Sequence, residues 1–312
     1  MNYWHAPVLK KRTLEHLNPA PGKIIVDGTL GGGGHARDIV QFLHPGGTLV
    51  AIDMDKDAID AAKKVVAPAM DTQVHFIQDN FANLDRIVRQ LNINSIDGFL
   101  LDLGVSSFQL ENVSRGFSYQ DKARLDMRMD QNQALTAETV LNEFSAEKLE
   151  KIIRMYGEEK WARRIAQFIV KERQVNKMRT TDDLVRAVKA AIPKNARKNG
   201  PHPAKRTFQA IRIYVNGELQ NLENAIEKSI SLLNPGGRIV IITFHSLEDR
   251  IVKRNFKYFA SSCICPPSLP VCQCKGKPKL KMMTKMPILP GDEEVIENPR
   301  ARSAKLRAAA RL

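Results

Sequence analysis

Ile24-Ile25-Val26-Asp27-Gly28-Thr29-Leu30-Gly31-Gly32-Gly33-Gly34-His35-Ala36 is the stretch that decides how this chain folds. A short β-branched run reads as a buried strand. It ends in an acid, and five glycines fall within the next seven residues. Glycine takes backbone angles closed to other residues and lets a ligand approach the main chain. A strand that feeds a glycine turn into a helix N-terminus is how doubly wound α/β proteins seat a nucleotide-like cofactor. Leu49-Val50-Ala51-Ile52-Asp53 then reads as a second strand, with its acid about 20 residues past the turn, the separation suited to ribose hydroxyls.

The cofactor is less directly written. Gly31-x-Gly33-x-x-Ala36 satisfies a dinucleotide fingerprint, which keeps an NAD or FAD enzyme in view. Asp27 argues against a pyrophosphate, because a carboxylate just before the glycines repels one. It suits the cationic amino-acid end of S-adenosylmethionine. A further strand, Ile96-Asp97-Gly98-Phe99-Leu100-Leu101-Asp102, also ends in an acid. In the strand order of such folds its tip lies beside the glycine turn.

Working outward, strand-like runs at 24–28, 48–53, 73–78 and 96–102 predict a parallel sheet, with a helix over 57–66. Between Gln109 and Ala204 the pattern turns helical, with stripes at 145–156, 158–173 and 181–192. Thr180-x-x-Asp183 reads as a capping box for the last of these. The α/β pattern resumes with a helix over 218–232, a turn at Asn234-Pro235-Gly236-Gly237, a strand over 238–244 and a helix over 246–258. The expected organisation is a Rossmann-like core of residues 1–108 and 205–312, interrupted by a helical insertion at 109–204 that would recognise substrate.

Net charge is +14, which favours a polyanionic partner. Basic residues gather at Lys194, Arg197, Lys198, Lys205 and Arg206, and at Arg300, Arg302, Lys305, Arg307 and Arg311. No apolar run reaches membrane-spanning length, and Met1–Arg12 lacks the apolar centre of a signal peptide, so a cytoplasmic protein is expected. All four cysteines fall in one window, Cys263-x-Cys265 and Cys272-x-Cys274. In a reducing compartment that clustering suggests a structural zinc held by four thiolates.

Many motifs together resemble one family, the bacterial 16S ribosomal RNA cytosine-N4 methyltransferases. They run in order from His5-Ala6-Pro7-Val8-Leu9 and the glycine turn to Asp102-Leu103-Gly104-Val105-Ser106-Ser107. Arg115-Gly116-Phe117-Ser118 and Leu125-Asp126-Met127-Arg128-Met129 follow. The series closes with Arg206-Thr207-Phe208-Gln209-Ala210-Ile211-Arg212, Phe244-His245-Ser246-Leu247-Glu248-Asp249-Arg250 and Asn298-Pro299-Arg300-Ala301-Arg302-Ser303. The resemblance implies a class I S-adenosylmethionine-dependent methyltransferase fold. It also implies methyl transfer to one cytosine N4 near the decoding site of the small ribosomal subunit. Oligomeric state is left open by the sequence, a homodimer being one candidate. For the cofactor the resemblance implies Gly33, Gly34 and His35 at the turn, Asp53 on the ribose, Phe81 against the adenine, and Asp102 and Gln109 completing the pocket.

Asp102 is also the candidate catalytic residue. Cytosine N4 is a weak nucleophile because its lone pair is delocalised into the ring, so an acceptor for its hydrogens assists attack, together with in-line placement. Phe117 and Tyr119 are candidates to stack on an extruded base. His245-Ser246 lacks a Gly-x-Ser-x-Gly elbow and reads as a strand tip lining the substrate pocket rather than as a hydrolase pair. Two further alternatives are a DNA amino-methyltransferase and a non-catalytic assembly factor that keeps the fold as an RNA scaffold.

Overall fold

The computed structural model describes residues 7–68, 71–106, 109, 110, 112–197, 200–263, 265 and 276–312. The chain divides into two compact units, Met1–Gly104 with Leu219–Leu312, and Val105–Glu218.

The first unit begins with α1 (Lys10–Leu17), β1 (Ile24–Asp27), α2 (Gly34–Leu43), β2 (Thr48–Asp53) and α3 (Lys56–Ala62). β3 (Gln73–Gln78), α4 (Leu84–Gln90) and β4 (Ile96–Asp102) follow. Asp55 caps α3, its carboxylate accepting from the Asp57 N–H, and the helix is shorter than the expected 57–66.

The second unit contains α5 (Ala137–Glu143), α6 (Ala146–Gly157), α7 (Ala162–Val175), α8 (Thr181–Ala191) and α9 (Lys205–Asn216). Its apolar stripes meet in one core that includes Leu149, Ile152, Ile165, Ile169, Leu184, Val188, Phe208 and Ile211. The Thr180–Asp183 capping box forms as expected. The start of α7 falls later than the periodicity suggests. Glu158 takes a left-handed φ of 47°, and the Glu159 carboxylate accepts the Trp161 N–H, so the chain turns before it can continue as helix. α9 packs its buried Thr207, Phe208, Ala210, Ile211 and Val215 with this unit. The division therefore falls near Glu218 rather than at residue 205.

The chain then returns to the first unit through α10 (Glu218–Leu232), β5 (Leu233–Thr243), α11 (Ser246–Ala260), β6 (Leu280–Met282), α12 (Asp292–Glu297) and β7 (Lys305–Arg311). β5 starts earlier than expected. Leu233 pairs with Ile96 and Arg238 with Gly98, so Asn234-Pro235-Gly236-Gly237 bulges out of register between them, with Gly236 at φ 81°.

Seven strands form one sheet in the order β3-β2-β1-β4-β5-β7-β6. β1 to β5 are parallel, and β7 runs antiparallel to both β5 and β6. Alternate side chains point to opposite faces. Ile25, Leu49, Leu100 and Val240 share one core with Ile39 and Leu43 of α2, while Val26, Val50, Phe99 and Ile239 share the other with Leu84, Ile226 and Phe256. A parallel sheet buried on both faces needs such apolar strands, so the expectation of a Rossmann-like α/β core with a helical insertion is met. The sequence reading has no strand for β6 or β7. Lys305–Arg311 is rich in alanine, which favours helix in isolation. Here the small side chains of Ala308 and Ala309 fill both faces of the sheet between two neighbours. Among the described residues, no helix is long and apolar enough to cross a membrane.

Candidate active site

Strand order reverses at β1, whose neighbours β2 and β4 lead to opposite halves of the sheet. The carboxyl ends of β1 and β4 therefore flank the crevice in which such sheets bind ligands. Backbone geometry shapes the turn that follows β1. Gly31 has φ 50° and Gly33 φ 80°, angles that penalise a Cβ. A Cβ on Gly33 would also lie 3.0 Å from Ala62 and Val66.

Both neighbouring strands hold the turn in place. The Asp53 carboxylate at the tip of β2 accepts from the Gly31 N–H at 2.8 Å and from the Asp55 N–H at 2.9 Å. On the other side the Asp102 N–H donates to the Thr29 hydroxyl at 2.6 Å. Asp27 closes the base by accepting from the Thr29 N–H at 3.1 Å. Phe81 follows β3, and its Cβ would lie 3.1 Å from a Cβ on Gly28.

The sheet thus brings Gly33, Gly34, His35, Asp53, Phe81 and Asp102 to one edge. Gln109 belongs to the second unit. There its N–H donates to the Ser106 hydroxyl at 3.2 Å and its Oε1 accepts from the Ser106 N–H at 3.1 Å.

The charges around the turn are unusual for a protein interior. Asp27 is 1% exposed and His35 6%. Burial pushes the Asp27 carboxyl up to about 7, against the lowering effects of His35 and the Thr29 hydrogen bond. Burial also pushes Asp53 up to about 6, despite the N–H groups it accepts from. His35 Nε2 lies 3.6 Å from Asp102 Oδ2, an ion-pair distance rather than a hydrogen bond. Burial alone would lower this imidazole, but Asp102, Asp27 and Asp38 outweigh it and raise it. Asp27 Oδ2, His35 Nε2 and Asp102 Oδ1 are all buried without a hydrogen-bond partner among the described residues. Native proteins rarely leave such atoms unmatched, so they mark a place where another group completes the pairing. An acidic, glycine-lined turn fits a cationic cofactor better than a pyrophosphate.

Other predicted residues have different fates. Phe117 is buried in the core of the helical unit with the Arg115 guanidinium 5.9 Å from its ring, so it offers no free face for a base. Tyr119 stacks on His202 at 4.7 Å and meets Phe208 edge-on. His245 stands at the tip of β5 and caps α11: its Nδ1 accepts from the Glu248 N–H, and Glu248 accepts from the Phe244 and His245 N–H groups. The Phe244 ring lies 3.5 Å from a Cβ built on Gly104, beside the tip of β4. Of the basic tail, Arg307 is 4% exposed and forms a two-pronged pair with Asp249, so it supports the sheet instead of facing solvent. Cys263 is exposed and Cys265 half-buried, while Cys272 and Cys274 lie outside the described residues, as do Ser107, Phe108 and Lys198. The zinc expectation therefore rests on cysteine spacing alone.

Sequence reasoning missed what the motifs of the second unit do. Arg115 donates to the carbonyls of Arg128 and Met129, Arg128 pairs with Asp126, and Asn216 bonds the backbone of Met127 and Met129. Gly116, at φ 70°, packs so closely that a Cβ would meet the Arg124 carbonyl at 2.1 Å. These residues hold an irregular segment in shape. Met127 at φ 59° is the kind of strain such a network sustains.

A family model described as the MraW methylase family matches residues 2–312. The chain belongs to this family. It is 56% identical to the "Ribosomal RNA small subunit methyltransferase H" of Natranaerobius thermophilus over 312 residues, which cover 100% of this chain and 99% of that protein. Proteins of the same name from Halothermothrix orenii and Clostridioides difficile are each 50% identical, covering 99% and 100% of this chain and 98% and 100% of their own lengths. The seven-stranded sheet is accordingly the Rossmann-like core of a member of the MraW methylase family.

Proposed function

We propose that this chain transfers the methyl group of S-adenosylmethionine to the exocyclic N4 of a cytosine in 16S ribosomal RNA, near the decoding site of the small subunit. The observation that carries this reading is the set of carboxylates around the glycine turn, among which Asp27 Oδ2 and Asp102 Oδ1 have no hydrogen-bond partner among the described residues. The names of its relatives support small-subunit ribosomal RNA as the substrate class.

When bound, S-adenosylmethionine supplies a methyl sulfonium that is electrophilic without further activation. The chain's own residues then have positional and electrostatic work. The main chain at Gly33, Gly34 and His35 would receive the amino-acid end, which Asp27 attracts. Asp53 has lone pairs left for ribose hydroxyls, since each carboxylate oxygen accepts more than one hydrogen bond. Phe81 would lie against the adenine. Asp102 Oδ1 accepts a hydrogen from N4, drawing the lone pair out of conjugation as the nitrogen attacks. The helical unit recognises the RNA, and such a substrate makes the protein cytoplasmic.

The test is a labelled-methyl transfer assay on small ribosomal subunits from cells lacking this gene, followed by nucleoside mass spectrometry. We expect one N4-methylcytidine per subunit, and Asp102→Ala to abolish it at saturating cofactor. Methyl transfer to DNA alone, or binding of NAD in place of S-adenosylmethionine, would overturn the reading.

A further inference from the structure

We propose that the His35 side chain is a positioning residue for methyl transfer: from the first turn of α2 it orients the Asp102 carboxylate, its Oδ2 engaged and its Oδ1 open to the acceptor amine. The inference deepens the function proposed above and rests on it.

The geometry supplies the argument. His35 is 6% exposed, and its Nε2 stands 3.6 Å from Asp102 Oδ2. The imidazole does not cap the helix: Gly33 occupies that position, and no side chain caps it. Its Nε2 has no hydrogen-bond partner among the described residues, nor does Asp102 Oδ1. Three carboxylates face this imidazole: Asp102 from β4, Asp27 from β1 and Asp38 from α2 itself, the last also paired with Lys10 and Arg37.

The surroundings of the imidazole favour its charged form: Asp102, Asp27 and Asp38 raise it against burial. That charge draws Asp102 Oδ2 toward Nε2 and fixes the orientation of the carboxylate. In the reaction one N–C bond forms and the S–C bond breaks, the sulfonium becoming a thioether. The amine then loses one proton, which Asp102 takes and passes to water.

The experiment is single-turnover methyl transfer by the full chain over about pH 6 to 9, together with NMR titration of the His35 imidazole. In the wild type the rate falls at alkaline pH as His35 loses its proton. His35→Gln should slow transfer about tenfold or more, keep the S-adenosylmethionine dissociation constant within about threefold, and remove the alkaline fall. In an Asp102→Asn background the same change should cost less than about twofold, because the pair acts as one unit. The imidazole midpoint should drop in Asp102→Asn. Weakened cofactor binding with an unaltered pH profile would reduce His35 to packing and overturn the proposal. An unchanged rate, additive losses or an unmoved midpoint would overturn it too. No methyl transfer by the wild-type chain sinks this proposal and the proposed function together, whereas normal wild-type transfer with an unaffected His35→Gln sinks this one alone.

Discussion

Asp27 is buried, accepts a single backbone N–H from Thr29 and keeps Oδ2 unmatched. Its carboxyl is raised to about 7, so folding at neutral pH must bury a group that water would keep charged. A raised acid contributes its full stability below its unfolded value, and that contribution is lost as pH rises toward 7. Asp27→Asn keeps the acceptor for Thr29 and removes the charge. It should stabilise the cofactor-free protein at pH 8 by on the order of a few kcal/mol, at about 1.4 kcal/mol per pH unit, and give no gain below about pH 4. Thermal denaturation at the two pH values checks this. The same variant should bind S-adenosylmethionine more weakly. Asp27, Asp53 and Asp102 were legible in the sequence because each ends an apolar run, where a strand must stop and face solvent or ligand. The pairing of His35 with Asp102 was not, since the two are distant in sequence and only the β1–β4 pairing brings them together.

Among elements, α9 shows how a helix can serve an irregular neighbour. The Asn216 side chain near its C-terminus accepts from the Met129 N–H at 2.7 Å and donates to the Met127 carbonyl at 2.8 Å. Asn216→Ala strands both backbone groups, which costs about 1–3 kcal/mol for each buried group left unmatched. Chemical denaturation should show the loss, with Asn216→Asp intermediate because it keeps the acceptor. Helices with strong local signals were readable from sequence. Ser145 and Thr180 cap α6 and α8 where the pattern places their starts. β7 was hidden because its alanines say nothing about partners, and its strand form depends on β5 and β6 on either side. The motif around Arg115 and Gly116 was visible as a motif, but the carbonyls it serves follow no periodic spacing.

For the whole molecule, the net charge of +14 makes nucleic-acid binding a matter of counterion release. Affinity for small-subunit ribosomal RNA should fall at least about tenfold between 50 and 200 mM salt. Neutralising the exposed Lys194, Lys205 and Arg206 together should flatten that slope, which filter binding across a salt series would read. Arg307→Ala should instead lower stability, because its charge is spent on Asp249. The core-plus-insertion plan could be read from the change of periodicity near Gln109. Its second boundary could not, because the apolar face of α9 looks the same whichever unit it packs with. The sheet order also has a consequence for synthesis on the ribosome. β4 emerges before the entire helical unit, while its neighbour β5 follows that unit, and β7, which joins β5 to β6, emerges last of all. The half-made protein therefore carries an open parallel edge along β4 for as long as residues 105–218 take to appear. A helical unit with its own core can fold during that interval, whereas the sheet that houses the cofactor turn closes only when the final strand arrives.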